Sequence, residues 1–185
     1  MTQTLTLDAS RTALVVVDVQ ERLAAAMPPD DLARLVKYAR ALLGAARELA
    51  IPVLATEQYP KGLGPTLPAL REILSSPPLQ KMAFSCGADA GFCGALAATG
   101  RRQLILAGME THVCVFQTAR DLVALGYEVQ VCADAVTSRT DEHRRVGLDL
   151  CREAGAVVTT AETAIFDLLR LAGTPQFKRV APLVR

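Results

Sequence analysis

Ala13-Leu14-Val15-Val16-Val17 is an unbroken apolar run that ends at Asp18, and Leu104-Ile105-Leu106-Ala107 is a second one that ends at Gly108. Runs this short and rich in β-branched residues read as strands. A strand with no polar alternation has both faces covered, which is the condition of a parallel sheet packed between helices. That requirement excludes most all-β and all-α arrangements at once.

The intervening segments supply the helices. From Asp31 to Ala50 the residues Leu32, Leu35, Val36, Ala39, Leu42, Leu43, Ala46 and Leu49 recur at helical spacing, with Pro28, Pro29 and Asp30 as a start signal. Further helices are predicted over Gly91–Thr99, Val113–Leu125, Asp141–Ala154 and Thr163–Leu171. Strands are predicted over Ile51–Thr56, Gln103–Ala107, Glu128–Ala133 and Ala156–Thr160, with a weaker one over Leu79–Lys81. Glu57 to Pro78 is rich in proline and glycine and reads as loop, with a short helix around Ala69–Leu74. Alternation of this kind specifies βαβ units and a three-layer α/β/α sandwich. Gly173 to Arg185 is a mixed tail that either covers the body or reaches a second subunit.

At 185 residues the chain suits a single domain, 1–185. Twenty basic residues against nineteen acidic leave a formal charge of +1, so no global field favours nucleic acid or an anionic membrane, and a neutral small molecule is the better partner. Five cysteines without CxxC spacing read as reduced thiols of a cytoplasmic protein. Met1 to Arg11 has no signal-peptide core, and no segment is apolar for long enough to suggest a membrane span.

Ligands of a doubly wound sheet bind beyond the carboxyl ends of the strands, where the strand order reverses. Asp18 and Cys114 fall there, and Lys81 joins them if the weak strand forms. A thiol at the start of a helix is expected to ionise readily, because backbone N–H groups and the dipole favour a thiolate. Taken alone, Cys114 reads more readily as a small core residue, Asp18 as a loop cap, and Lys81 as a solvated surface charge. Together they offer a nucleophile, a proton acceptor and a cation. His112 lies two residues before Cys114, about 200° around a helix, and faces away from it; His143 reads as a solvated surface histidine. Two histidines without metal-ligand spacing give little basis for a zinc or iron site. Gly62-Leu63-Gly64 lacks the dinucleotide fingerprint, no phosphate-binding GxxxxGK[ST] occurs, and Ser85 and Ser138 lack the GxSxG elbow. No cofactor is expected.

Three ordered motifs, Leu14-Val15-Val16-Val17-Asp18-Val19-Gln20-Glu21, Lys81-Met82-Ala83-Phe84-Ser85 and Gly108-Met109-Glu110-Thr111-His112-Val113-Cys114, resemble the isochorismatase-like cysteine hydrolase superfamily over nearly the full chain. Thr56 to Gly64, Val129 to Arg139 and Pro175-Gln176-Phe177-Lys178 resemble its isochorismatase domain-containing branch. The resemblance implies a six-stranded parallel sheet of order 3-2-1-4-5-6 and a catalytic triad of Asp18, Lys81 and Cys114. It also implies a cis Met109–Glu110 peptide, with the Glu110 and Cys114 N–H groups as an oxyanion hole. Thr56-Glu57-Gln58-Tyr59 stands where nicotinamidases of the superfamily carry metal-binding histidines, so a metal-independent enzyme is implied. A cysteine in the nucleophile position favours cleavage of a C–N bond in an amide, carbamoyl or ureide compound through a thioester. Gln20, Leu23, Tyr59 and Phe84 are the expected substrate contacts, and a dimer or larger homo-oligomer the expected assembly. The alternatives are isochorismatase-type vinyl-ether hydrolysis, a non-catalytic protein that keeps the fold, and a thiol redox protein pairing Cys114 with Cys86 or Cys93.

Overall fold

A computed structural model describes residues 5–184. Met1–Thr4, part of the amino-terminal stretch read above, and Arg185 lie outside the described residues. The strands are β1 (Thr12–Val17), β2 (Val53–Gln58), β3 (Leu79–Lys81), β4 (Gln103–Met109), β5 (Glu128–Thr137) and β6 (Val157–Thr159). They form one parallel sheet in the order β3-β2-β1-β4-β5-β6. The strand order reverses between β1 and β4, which pair from Thr12↔Gln103 to Val17↔Gly108.

Side-chain alternation along these strands builds two apolar layers. On one face Leu14, Val16, Ile105 and Ala107 pack against the long helix α2 (Pro29–Glu48), against α8 (Ala161–Leu169) and against α9 (Pro175–Val180). On the other, Ala13, Val15, Val17, Leu104 and Leu106 pack against α5 (Ala90–Ala98), α6 (Phe116–Ala124) and α7 (Asp141–Glu153). Burying each such aliphatic side chain contributes about 1.5–3 kcal/mol, so the two layers dominate the stability of the sheet. Four-residue helices are also present: α1 (Glu21–Ala24) precedes α2, and α3 (Pro60–Leu63) and α4 (Pro68–Arg71) lie in the proline-rich connection, with short 3-10 turns at Cys86–Ala88 and Ala181–Val184. Among the described residues no helix is long and apolar enough to cross a membrane.

The departures from the sequence reading have local causes. β2 begins at Val53 and runs on to Gln58 because Thr56–Gln58 pair with β3. β5 extends to Thr137 through a bulge opposite Leu106–Gly108, where Asp134 turns to accept the Ala161 N–H at the start of α8 (2.8 Å). The carboxy-terminal tail covers the body: Val180 and Val184 are buried against α2. The helix expected from Val113 is preceded by a turn of π-helix, Thr111–Val115, in which the Glu110 carbonyl accepts from both Val113 and Val115. Cys114 therefore lies inside a wide turn and not at a regular α-helical N-terminus.

Gly108 is the tightest point between the two central strands. Its φ is +132°, and a Cβ there would lie 2.1 Å from the Val17 carbonyl oxygen. Gly94, on α5, has open space where its Cβ would be. Gly108→Ala is expected to cost more than about 3 kcal/mol, or to prevent folding, whereas Gly94→Ala gains about 0.5–1 kcal/mol. Urea unfolding of the two variants checks this; equal effects would contradict the close approach.

Candidate active site

β1 delivers Asp18 to the reversal point of the sheet, where the residue adopts φ +50°, a conformation Asp tolerates better than most non-glycine residues. Its carboxylate is completely buried and doubly engaged. Oδ2 accepts from Lys81 Nζ at 2.7 Å, and Oδ1 accepts from Thr56 Oγ1 at 2.7 Å. Lys81, at the end of β3, is itself 3% exposed, and its ammonium also donates to the carbonyl oxygens of Ala83 (3.1 Å) and Phe84 (2.9 Å). Three N–H bonds meet three acceptors, so the cation is fully solvated by protein.

Cys114 completes the group, close enough to the pair that the Asp18 carboxylate and the Lys81 ammonium both act on its thiol. The three residues singled out from the sequence thus converge at one sheet edge. The expectation of a readily ionised thiol does not hold. Burial, and then the Asp18 charge, push the Cys114 thiol well above its ordinary value, and Lys81 offsets them only in part. The same burial raises the Asp18 carboxyl, against the lowering effects of Lys81, Thr56 and Cys114. The resting arrangement is a protonated thiol beside a carboxylate made more basic by its surroundings. Cys86 lies behind, its Sγ 3.7 Å from Thr56 Oγ1, with burial pushing its thiol up to about 11.

Cys114 faces a cavity of about 340 Å³, at the small end of the range for ligand sites. Leu23, Leu63, Phe84 and Val113 give it apolar walls, Gln58 and Glu110 line it with polar groups, and Tyr59 joins them. Tyr59 and Phe84 are about half exposed and form the rim. The Tyr59 backbone, at φ +40°, donates to Lys81 O at 2.9 Å. Its ring lies where a Cβ on Gly62 would stand, 2.2 Å away, so the glycine makes room for it.

Leu23, Tyr59 and Phe84 therefore reach the cavity as expected, but Gln20 does not. Its side chain is wholly buried, donating to the carbonyls of Gln58 (3.0 Å) and Gly64 (2.7 Å) and accepting from the Gln58 N–H (2.8 Å). It ties β2 to the loop that carries the rim, which is a positioning role. The Met109–Glu110 peptide is cis. Glu110 lines the cavity, and its carboxylate accepts from Arg139 Nε at 2.9 Å. Thr56, Gln58, Leu63 and Val113 were missed, although a polar Thr56 at the end of an apolar run, level with Asp18, was a usable signal.

His112 turns away from Cys114, bonding Ser138 Oγ at 3.0 Å and stacking on His143 at 4.5 Å. His143 is exposed at one edge yet is not simply solvated. Glu57 Oε1 accepts from Thr66 N (2.7 Å) and Oγ1 (2.9 Å). Among the described residues no group of three or more His, Cys, Asp or Glu side chains is arranged to hold a metal ion.

A parallel sheet with a thiol, a carboxylate and an ammonium at its reversal point defines an α/β class that includes cysteine hydrolases. Within it, residues 12–163 match the family model of the isochorismatase domain, and the chain belongs to that family. Isochorismatase domain-containing protein 2 of Bos taurus is 41% identical over 82% of this chain and 74% of the relative. The MAR1 ribonuclease of Caenorhabditis elegans superposes with a TM-score of 0.89 at 38% identity, covering 97% of this chain and 92% of that one. The YcaC gene product of Escherichia coli, described as an octameric hydrolase of unknown specificity, superposes at 0.89 with 26% identity, covering 99% and 91%.

With Asp18 as the acceptor of the thiol proton, alkylation of Cys114 should follow the carboxylate. Asp18 must be ionised to accept the proton, so the rate falls as pH drops through its raised value, above the ordinary carboxylate value of about 3.9. Peptide-mapped alkylation across pH checks this. A rise centred on the ordinary thiol value of about 8.5 would contradict it.

Proposed function

We propose that this chain is a metal-independent cysteine hydrolase of a small carbonyl compound, with an amide, carbamoyl or ureide C–N bond as the one cleaved. The observation that carries the reading is the buried Asp18 carboxylate, paired with the Lys81 ammonium at 2.7 Å and acting electrostatically on the Cys114 thiol that faces the cavity. Asp18 takes the thiol proton as Cys114 Sγ bonds to the carbonyl carbon. The backbone N–H groups of Glu110 and Cys114 hold the resulting oxyanion. Collapse breaks the C–N bond, Asp18 returns the proton to the leaving nitrogen, and a thioester remains. Asp18 then takes a proton from water, the hydroxyl attacks the thioester, and the acid leaves as Cys114 regains its proton. Lys81 keeps the cycling carboxylate in place and balances its charge.

Metal independence is supported by the side chains at the end of β2, since Glu57 is held by Thr66 and the Gln58 amide donates to Met82 O (2.9 Å). The ribonuclease name belongs to the C. elegans neighbour. Here the Lys81 cation is fully engaged and the cavity walls are apolar, which suits a small acyl group better than a phosphodiester. A reducing cytoplasm suits five free thiols. A homo-oligomer is supported by the octameric description of the E. coli neighbour and by Met82 and Phe84, exposed by 68% and 53% beside the site.

The test is incubation with amides, ureides, carbamoyl compounds and RNA, followed by product analysis and intact-mass detection of an acyl adduct. Cys114→Ala should abolish both turnover and adduct, and Asp18→Asn should slow turnover by about 10²–10⁴-fold. Cleavage of RNA alone, or unchanged turnover in either variant, would refute the assignment.

A further inference from the structure

The charges around the cavity are distributed unevenly. Lys81, the cation closest to Cys114, directs its ammonium to Asp18, Ala83 O and Phe84 O, so no N–H of it remains for a ligand. Glu110 lines the cavity with its side chain only 10% exposed, while Arg139, its partner, is 55% exposed and is not part of the lining. The acidic member of that ion pair is thus the one at the cavity, and the basic member lies toward solvent. Asp18 adds a second carboxylate beneath the thiol. Lys61 lines the adjoining crevice on the far side of Tyr59, together with Asp89.

We infer that the site accepts only acyl compounds that are uncharged and carry an apolar substituent, and that the cavity-lining Glu110 excludes anionic ones. This rests on the cysteine hydrolase reading and specifies its substrate class. A carboxylate on the substituent would lie among the partly buried Leu23, Leu63 and Val113 and the rim residue Phe84, without a cation among the described lining residues. An unpaired charge of that kind is disfavoured, and two carboxylates nearby add repulsion. An aliphatic or aromatic group gains from the same walls, and the neutral amide matches the polar groups beside Cys114.

Two reagents of equal size test the charge rule independently of hydrolysis: iodoacetamide, which is neutral, and iodoacetate, which is anionic. Each alkylates Cys114 by forming a thioether with loss of iodide and the thiol proton, and the site is located by peptide mapping. The ratio of the two rates, divided by the same ratio on N-acetylcysteine, should favour iodoacetamide by at least about 30-fold. Glu110→Gln should shrink that preference. Arg139→Ala, which leaves Glu110 unneutralised, should enlarge it. Hexanamide should protect Cys114 from alkylation, and adipamate, of equal chain length with a terminal carboxylate, should not.

Equal labelling by iodoacetate, protection by adipamate, inaccessibility of Cys114 to both reagents, or a gain of iodoacetate labelling relative to iodoacetamide in Arg139→Ala would each overturn the inference. Selective labelling and hexanamide protection, with no amide or related compound hydrolysed, would remove the hydrolase reading and leave the charge selectivity in force.

Discussion

The organisation of the site depends on one buried ion pair. Asp18 and Lys81 come from opposite ends of a three-strand stretch of sheet, β1 and β3, and both are almost completely withdrawn from water. Neither charge is tolerable there alone. Removing one partner of such a pair costs about 3–5 kcal/mol because the other is stranded. The remaining hydrogen-bonding capacity is therefore filled as well, by Thr56 on the carboxylate and by the Ala83 and Phe84 carbonyls on the ammonium. Those carbonyls belong to the segment that carries Phe84 to the cavity rim, so the ion pair fixes the substrate wall together with the acid.

The same low-polarity surroundings decide how the thiol is used. A cysteine pre-ionised by a helix terminus would be a standing nucleophile, exposed to adventitious oxidants and electrophiles. The Cys114 thiol is instead held protonated by burial and by the nearby Asp18 charge. Activation is then coupled to a carbonyl carbon arriving within reach. The charges beside it stand in pairs, Asp18 with the buried Lys81 and Glu110 with the exposed Arg139.

Much of this was legible in the chain. Val15-Val16-Val17 and Leu104-Ile105-Leu106 have no polar alternation, which is enough to require a covered parallel sheet, and the switch-point rule then assigns Asp18 and Cys114 to one edge. The weak strand Leu79–Lys81 was the uncertain member, since three residues carry almost no periodic signal; its pairing with Thr56–Gln58 is a long-range effect. Gln20 was misjudged for a similar reason. A glutamine in a loop beside an active-site acid looks available, and only the tertiary structure brings the Gln58 and Gly64 backbones to it. The π-turn before α6 was also hidden, because a single extra residue in a helical turn does not disturb the apolar pattern around it. That turn alters the expected electrostatics of Cys114. The His112–His143 stack joins two segments far apart in sequence and was likewise invisible.

The central claim is that Asp18 and Lys81 stabilise each other as a unit. A double-mutant cycle with Asp18→Asn, Lys81→Met and the combined variant, read by denaturant unfolding, measures that coupling directly. The account predicts that each single change costs about 3–5 kcal/mol and that the double variant is less destabilised than the sum by at least about 2 kcal/mol. Additive losses would mean that the two charges do not support each other, and the account would fail with them.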